Sequence, residues 1–192
     1  NLDALEEIES ETGGEICTVL QLRVHPLLVN LKASLDADRS GRRRRVNLTY
    51  ITSRGPWYQY SWKGAEERSG GLVTNIGVHL FDLLLWLFGS VSHSEVRLCR
   101  RDRAAGRLVL ERADITWSLS VDRADLPPEA GGKPTFRSLT IDDAEVEFSE
   151  GFTDLHSRVY ERTLMGNGFR IADIRPSIEL VYRIRAASHT SL

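Results

Sequence analysis

Residues 70–89 read GGLVTNIGVHLFDLLLWLFG, the most apolar stretch of this chain. A run that is apolar around nearly its whole circumference predicts a buried helix. Three polar residues interrupt it, Asn75, His79 and Asp82, and at about 100° per residue they fall on one helix face. A buried polar group without a partner costs about 1–3 kcal/mol. Three of them on one buried face therefore predict a functional site.

Two other interpretations of this stretch are open. Asp82 could accept a hydrogen bond from His79 while Asn75 bonds to the backbone, which would make the three residues a satisfied network inside the core. A membrane-spanning helix is the other possibility. We expect no membrane span, because about 17 apolar residues interrupted by three polar groups are too short and too polar to cross a bilayer.

Composition predicts an ordinary globular protein in a reducing compartment. The chain has 192 residues, 25 basic and 27 acidic, and a net charge of −2, so we expect no nucleic-acid partner. Cys17 and Cys99 are single and far apart, which favours reduced thiols and a cytoplasmic location. The five histidines show no H-x-x-x-H spacing, and no metal site is expected.

The first 25 residues have the pattern of a helix followed by a strand. Leu2–Thr12 has helical spacing and is followed by Gly13-Gly14, after which Ile16–Val24 is β-rich. This combination is typical of the last helix and strand of a parallel sheet. Because such a strand needs neighbours, and because the chain starts at Asn1 with Met165 as its single methionine, we expect further residues upstream.

The remaining residues predict an α+β fold with an open, mostly antiparallel sheet and helices on one face. The expected helices are 26–38, 70–88, 154–165 and 176–187, the last beginning at Pro176. The expected strands are 46–52, 95–101, 108–123, 136–141 and 144–148, the third long or bent and the last two forming a hairpin.

Several side chains have chemistry suited to a site. A neutral imidazole at His79 can exchange a proton near pH 7, Asp82 could orient it, and Asn75 could bind a ligand hydroxyl. Arg54 follows a strand and suits a phosphate or carboxylate, although a surface ion pair is equally open. The list of weaker candidates comprises Tyr58 in an aromatic loop, Gln21, Arg23 and His25 along the predicted strand, and His156 with Tyr160 on a helix face.

The glycines, Asn75, His79 and Asp82 together resemble the G-G-x-x-x-D-x-G-x-H-x-x-D signature of the Gfo/Idh/MocA oxidoreductases. Four other segments are similar to the branch of that family that oxidises UDP-N-acetylglucosaminuronic acid at C3. They read QLRVHP (21–26), YITSRGPWY (50–58), FTDLH (152–156) and RPSIELVY (175–182). The resemblance covers essentially the whole chain.

The resemblance implies an N-terminal Rossmann domain that binds NAD, with NADP also open, and a C-terminal open sheet that packs against another subunit. Residues 1–25 would be the C-terminal remnant of the Rossmann domain. Residues 26–192 would form the substrate-binding and oligomerisation domain of a dimer or tetramer. The G-x-G-x-x-G/A loop and the E-K-P motif with its catalytic lysine are not found in this sequence. We therefore expect this chain alone not to bind the dinucleotide or to turn over.

The implied reaction is hydride transfer from the C3 hydroxyl group of a UDP-N-acetylhexosaminuronate, in a pathway of bacterial surface polysaccharide synthesis. His79 matches the catalytic histidine, and Asn75 stands where many members have aspartate, so it would bind substrate instead of accepting a proton. Asp82 would support His79. The other implied substrate contacts are Arg54, Tyr58, Arg23 and His156. A dehydrogenase of another sugar or a cyclitol, and a non-catalytic oligomerisation module, are the alternatives.

Overall fold

A computed structural model describes residues 1–55, 57–146, 148 and 151–190, without the side chains of residues 59 and 188–190. Its helices are α1 (Leu2–Thr12), α2 (Pro26–Ala37), α3 (Trp57–Tyr60), α4 (Glu66–Ser69), α5 (Val78–Phe88), α6 (Leu155–Leu164) and α7 (Ile171–Thr190). Its strands are β1 (Cys17–Thr18), β2 (Arg44–Thr52), β3 (Val91–Cys99), β4 (Arg103–Leu110), β5 (Ala113–Ser120), β6 (Thr135–Ile141), β7 (Ala144–Val146) and β8 (Phe169–Arg170).

A six-stranded sheet with the order β3-β4-β5-β2-β6-β7 forms the centre of the fold. Only β2 and β5 pair in parallel, with Leu48 opposite Trp117, and the other four pairs are antiparallel. The predicted hairpin between β6 and β7 turns at Asp142 and Asp143, both with positive φ. The predicted α+β class with an open, mostly antiparallel sheet is confirmed.

One face of this sheet is buried under the apolar helix. Burial alternates along β4 and β5, as expected when successive side chains point to opposite faces. Trp117 on β5 meets Phe81 of α5 edge to face, with ring centroids 5.1 Å apart. The opposite face carries exposed polar residues, including Arg45, Asn47 and Thr116. The alternating strands thus supply the floor against which α5 packs.

The apolar run is not one continuous α-helix. α4 ends at Ser69, and the two glycines that follow it, Gly70 and Gly71, both have positive φ, near +75° and +73°. Val73–Gly77 then forms a π-helical segment before α5 begins. A π-helical turn is wider than an α-turn, which changes the angle between Asn75 and the residues that follow it. By length and composition alone residues 66–88 could cross a membrane, but most of them are buried inside this fold, as in a core helix.

The predicted strand 16–24 is wrong for most of its length. β1 comprises only two residues, and it pairs antiparallel with β8. Gln21–Val24 is instead a 3-10 turn that leads into Pro26 at the start of α2. Leu20 and Leu22 belong to two different apolar clusters, and a helical turn can direct them apart whereas alternate positions of a strand cannot. Gln21, Arg23 and His25 therefore do not line one side of a strand.

Two other boundaries differ from the sequence prediction. The expected long strand 108–123 is divided by a tight turn into β4 and β5. α7 begins at Ile171 and contains Pro176, because Asp173 accepts a hydrogen bond from the Arg170 backbone N–H at 2.8 Å. A carboxylate that reaches back in this way stabilises the start of a helix. The first turn is thus set by Asp173 and not by the proline.

Candidate active site

A cavity of about 230 Å³ lies beside the π-helical segment and the start of α5. Its lining combines separate elements: Gln21 and Leu22 from the 3-10 turn, Tyr50 and Arg54 from β2 and the loop after it, Asn75, Ile76, His79 and Leu80 from the apolar run, Arg137 from β6, and Phe148 and Phe152. Three predicted site residues, Arg54, Asn75 and His79, therefore share one cavity. A second cavity, of about 140 Å³, contains Tyr58 as its single predicted residue.

Tyr58 and Asn75 form a polar link between these two cavities. The Tyr58 ring is buried, and its hydroxyl oxygen accepts a hydrogen bond from Asn75 Nδ2 at 3.2 Å. Because its side-chain nitrogen donates to Tyr58, the carbonyl oxygen of Asn75 is left without a hydrogen-bond partner among the described residues. The orientation of an amide is assigned from such a network. Tyr58 therefore positions Asn75, and Asn75 can present an acceptor to a ligand hydroxyl.

His79 is a neutral base in this environment. Burial lowers the pKa of His79 below its usual range, the charge of Asp82 opposes that shift, and the nearby His156 lowers the pKa further. The His79 side chain makes no hydrogen bond with any residue that the structure describes. An imidazole that is neutral at pH 7, half-buried and lining a cavity can accept a proton from a ligand hydroxyl.

Asp82 does not hydrogen-bond to His79. Its carboxylate is almost completely buried, and it accepts hydrogen bonds from Arg23 Nε at 3.0 Å and Arg23 Nη2 at 2.8 Å. Ser177 Oγ on α7 donates a third, at 2.9 Å. These donors satisfy the carboxylate, so the described effect of Asp82 on His79 is that of its charge, which raises the pKa of the imidazole. Its role as support for His79 remains a prediction.

Arg23 is committed to internal contacts, contrary to its expected place against the substrate. Besides the pair with Asp82, its guanidinium donates to the backbone oxygen of Asp173 at 3.0 Å and to Oδ1 of the same residue at 3.3 Å. It also stacks 5.6 Å from the centroid of the Phe169 ring. Only 12% of the side chain is exposed. The contacts indicate a cross-link between the 3-10 turn, α5 and α7.

Arg54 and Arg137 bring positive charge to the cavity. Arg54 is exposed and makes no ion pair within the described part of the chain. The Arg137 guanidinium packs over two aromatic rings, with Cζ 5.1 Å from the centroid of Tyr50 and 4.2 Å from that of Phe152. Sequence reasoning missed Arg137, although a signal was present: it continues the alternate positions of Leu139 and Ile141, which face the core. A charged residue at a position that otherwise faces the core indicates that a cavity lies there.

The remaining predicted residue, His156, is exposed on α6 and is absent from the cavity lining. Its influence on the pKa of His79 places it near the site, and direct contact with a ligand remains a prediction. No group of three or more metal-ligating side chains occurs among the residues that are described. His79 is the candidate for acid–base chemistry among the described lining residues, and Asn75 and the two arginines are candidates for ligand binding.

Comparison with known proteins gives one family. Residues 42–126 match the model of the oxidoreductase family, C-terminal alpha/beta domain, which describes Gfo/Idh/MocA proteins. The WlbA (WbpB) dehydrogenase from Thermus thermophilus in complex with NAD and alpha-ketoglutarate is 48% identical, with a TM-score of 0.91, over 96% of this chain and 60% of that chain. The same enzyme in complex with NAD and UDP-GlcNAcA is 47% identical, with a TM-score of 0.90 over 96% and 59% of the two chains.

A more distant relative has the same fold. The WlbA dehydrogenase from Bordetella pertussis, in complex with NADH and UDP-GlcNAcA, is 21% identical, with a TM-score of 0.78 over 100% of this chain and 66% of that chain. The chain thus spans about 60% of the length of the Thermus enzyme. On the matching family model, the shared fold and 48% identity to one of its dehydrogenases, this chain belongs to the Gfo/Idh/MocA oxidoreductase family.

Proposed function

We propose that this chain is the substrate-binding part of an NAD-dependent dehydrogenase, with NADP also open, that oxidises the C3 hydroxyl group of a UDP-N-acetylhexosaminuronate. One observation carries the proposal: a half-buried histidine with a lowered pKa lines the same cavity as two arginines that have no carboxylate partner among the described residues. Similarity to an enzyme crystallised with NAD and UDP-GlcNAcA supports it. We further propose that residues 1–25 belong to a Rossmann domain and residues 26–192 to the substrate domain.

In this proposal His79 accepts the proton of the C3 hydroxyl group. Its lowered pKa keeps the imidazole unprotonated at neutral pH, which is the form that a general base requires. Asn75, held by Tyr58, binds a neighbouring hydroxyl through its carbonyl oxygen. Arg54 at the cavity binds the anionic diphosphate of the substrate. Together they hold the sugar ring with its C3 hydroxyl group against the histidine.

The cofactor, when bound, would take the hydride that leaves C3. The described residues fit the sugar side of this reaction and provide no glycine-rich loop for a dinucleotide diphosphate. One wall of the cavity holds a buried oxygen, Gln21 Oε1, with no hydrogen-bond partner within the described residues. It fits an N–H donor, which both the acetamido group of the sugar and the carboxamide of nicotinamide carry. Gln21 is therefore the residue that we assign to such an N–H group.

The proposal extends to partners and location. The polar face of the six-stranded sheet, with Arg45, Asn47 and Thr116 exposed, is the surface proposed to pack against a second copy of the chain. The net charge of −2 gives no attraction for nucleic acid. Cys17 and Cys99 are free, which supports a reducing, cytoplasmic location. Light scattering tests the proposed association with a second copy, and cell fractionation tests the proposed location, both independently of catalysis.

Calorimetric titration of this protein with UDP-GlcNAcA tests the substrate assignment. We expect binding to the wild-type protein and a loss of about 10-fold or more in Arg54→Leu, since a hydrogen bond to a charged group contributes about 1.5–3 kcal/mol. Arg100→Leu is the matched control, because this exposed arginine lines the other cavity. Absence of binding, or equal losses in both variants, would overturn the assignment. Binding of an inositol in its place would favour a cyclitol dehydrogenase.

Turnover requires a separate measurement on the complete product of the gene. There, NADH formation from NAD and UDP-GlcNAcA should be lost in His79→Ala, whereas binding of the nucleotide sugar by the same variant should persist. If His79→Ala retains turnover, His79 is not the general base. If the variant loses binding of the nucleotide sugar but converts the bound substrate at an unchanged rate, His79 only shapes the cavity. Arg54→Leu should raise KM steeply in the same assay.

A further inference from the structure

Arg137 is a charged side chain in a position that the fold otherwise gives to apolar residues. It follows Ile141 and Leu139 on the core-facing side of β6, and both of those side chains are buried. Its Cζ atom lies over two aromatic rings, 5.1 Å from the centroid of Tyr50 and 4.2 Å from that of Phe152. A guanidinium packed over aromatic rings gains cation–π attraction, which favours one placement of its plane. The N–H groups at its edge remain for hydrogen bonding.

No acidic residue described in the structure balances this charge. Among the described residues, the cavity lining contains Arg54 and Arg137 together with His79, Asn75 and Gln21, and neither Asp nor Glu. No hydrogen bond or ion pair joins Arg137 to another described residue. The N–H groups of such a half-buried guanidinium are free to bind an anion, which makes stronger hydrogen bonds with it than a neutral acceptor does. The ligand of this cavity is therefore expected to bring a negative group to Arg137.

The two arginines suit different anions. A guanidinium held in one plane presents two parallel N–H groups, the geometry that a carboxylate accepts in a bidentate manner. Arg54 is exposed and stacks on no aromatic ring that the structure describes, so it can contact a group that leads out of the cavity. In a nucleotide-linked hexuronate the carboxylate is carried by the same ring as the C3 hydroxyl, whereas the diphosphate leads away towards the nucleoside.

We propose that Arg137 binds the sugar carboxylate and selects hexuronates over hexoses that carry a hydroxymethyl group in place of that carboxylate. The inference rests on the proposed function and adds a specificity-determining residue to it. Arg54 then remains for the diphosphate. A site built to hydrogen-bond one group discriminates strongly against an analogue that lacks it, because its own polar atoms are left unpaired. Arg137 is thus assigned to discrimination at one substituent, while affinity for the rest of the ligand comes from other residues.

The test compares two ligands, UDP-GlcNAcA and UDP-GlcNAc, which differ only in carrying a carboxylate or a hydroxymethyl group. Each is titrated calorimetrically into the wild-type protein, Arg137→Leu, Arg137→Lys and the control Arg100→Leu. We expect the wild type to prefer the uronate. Arg137→Leu should weaken uronate binding about 10- to 100-fold and leave UDP-GlcNAc binding within about threefold. Arg137→Lys should retain part of the preference for the uronate, because lysine keeps the positive charge but lacks the two parallel N–H groups of the guanidinium.

Each contrary result has a definite meaning. Equal weakening of both ligands in Arg137→Leu would show that the arginine only supports the Tyr50 and Phe152 rings, and a preserved preference would overturn its role in selection. Wild-type protein that binds both ligands equally would overturn the carboxylate assignment alone. Wild-type protein that binds neither would overturn the proposed substrate and this inference together. Circular dichroism checks the fold of each variant, and Arg137→Gln replaces Arg137→Leu if the leucine variant is unfolded.

Discussion

Replacing Arg23 with methionine should destabilise the fold without removing a ligand contact. The substitution deletes both hydrogen bonds to Asp82, at 2.8 and 3.0 Å, and the contacts with Asp173. Methionine keeps a long, flexible side chain that can still pack on Phe169. The carboxylate of Asp82, 2% exposed, is left with the Ser177 hydroxyl as its side-chain donor. The perturbation thus isolates one buried charge.

The magnitude follows from that burial. Removing one partner of a buried ion pair costs about 3–5 kcal/mol, because the remaining charge stays in a medium of low polarity. Arg23 is 12% exposed, so some water reaches the pair, and we expect the lower end of the range, about 3 kcal/mol. For a chain of this size each kcal/mol shifts the melting temperature by about 2–4 °C. The variant should melt about 6–12 °C below the wild type.

Urea unfolding followed by circular dichroism is the assay, with Lys32→Met as the control. Lys32 pairs with Asp36 four residues along α2, where the two side chains are 22% and 47% exposed, and helix pairs of this kind contribute about 0.3–0.5 kcal/mol. Adding Asp82→Asn to Arg23→Met should recover part of the loss, since it removes the buried charge. The reasoning is refuted if Arg23→Met is no less stable than Lys32→Met, or if it loses UDP-GlcNAcA affinity while keeping its stability.

Two further predictions concern His79 and Gly106. Burial lowers the pKa of His79 in the folded state, so the unfolded state binds a proton first as the pH falls. The contribution of neutral His79 to the free energy of unfolding is therefore complete above the unfolded-state pKa of about 6.5. It is lost as the pH falls from there through the lower pKa of the folded state. The free energy of unfolding should therefore fall more between pH 7.5 and pH 5 in the wild type than in His79→Asn, and parallel curves for the two proteins would contradict the burial effect. Gly106→Ala would place a Cβ atom 2.8 Å from Cζ2 of Trp117 and against the backbone of Glu95, an overpacking that costs about 1–3 kcal/mol. Gly14→Ala, whose Cβ would meet only Thr12 Oγ1 at 3.2 Å, is the control, and equal urea midpoints for the two variants would show that β4 is less tightly packed than the structure indicates.

Local patterns in the sequence were sufficient for the fold class and for part of the site. Alternation along 46–52 and the apolar run 70–88 each report how one element meets the core, and both elements form. The same run indicated Asn75 and His79, which line one cavity in the structure. The 3-10 turn Gln21–Val24 could not be predicted from the sequence, because its composition is that of a strand. Its apolar side chains pack into two separate clusters, and that arrangement depends on the tertiary structure.

Contacts between distant elements depend on tertiary packing alone. Asp82 meets Arg23 across 59 residues and Ser177 across 95, so no local spacing could show that its carboxylate is satisfied away from His79. Arg137 enters the cavity because β6 pairs with β2, which brings the Tyr50 ring beside it. Periodicity is a property of one element, so the amino-acid pattern was enough to show which residues alternate and which helix is buried. Which charged groups become partners was decided only when the sheet, α5 and α7 packed together, because a partner is defined by distance in space and not by separation along the chain.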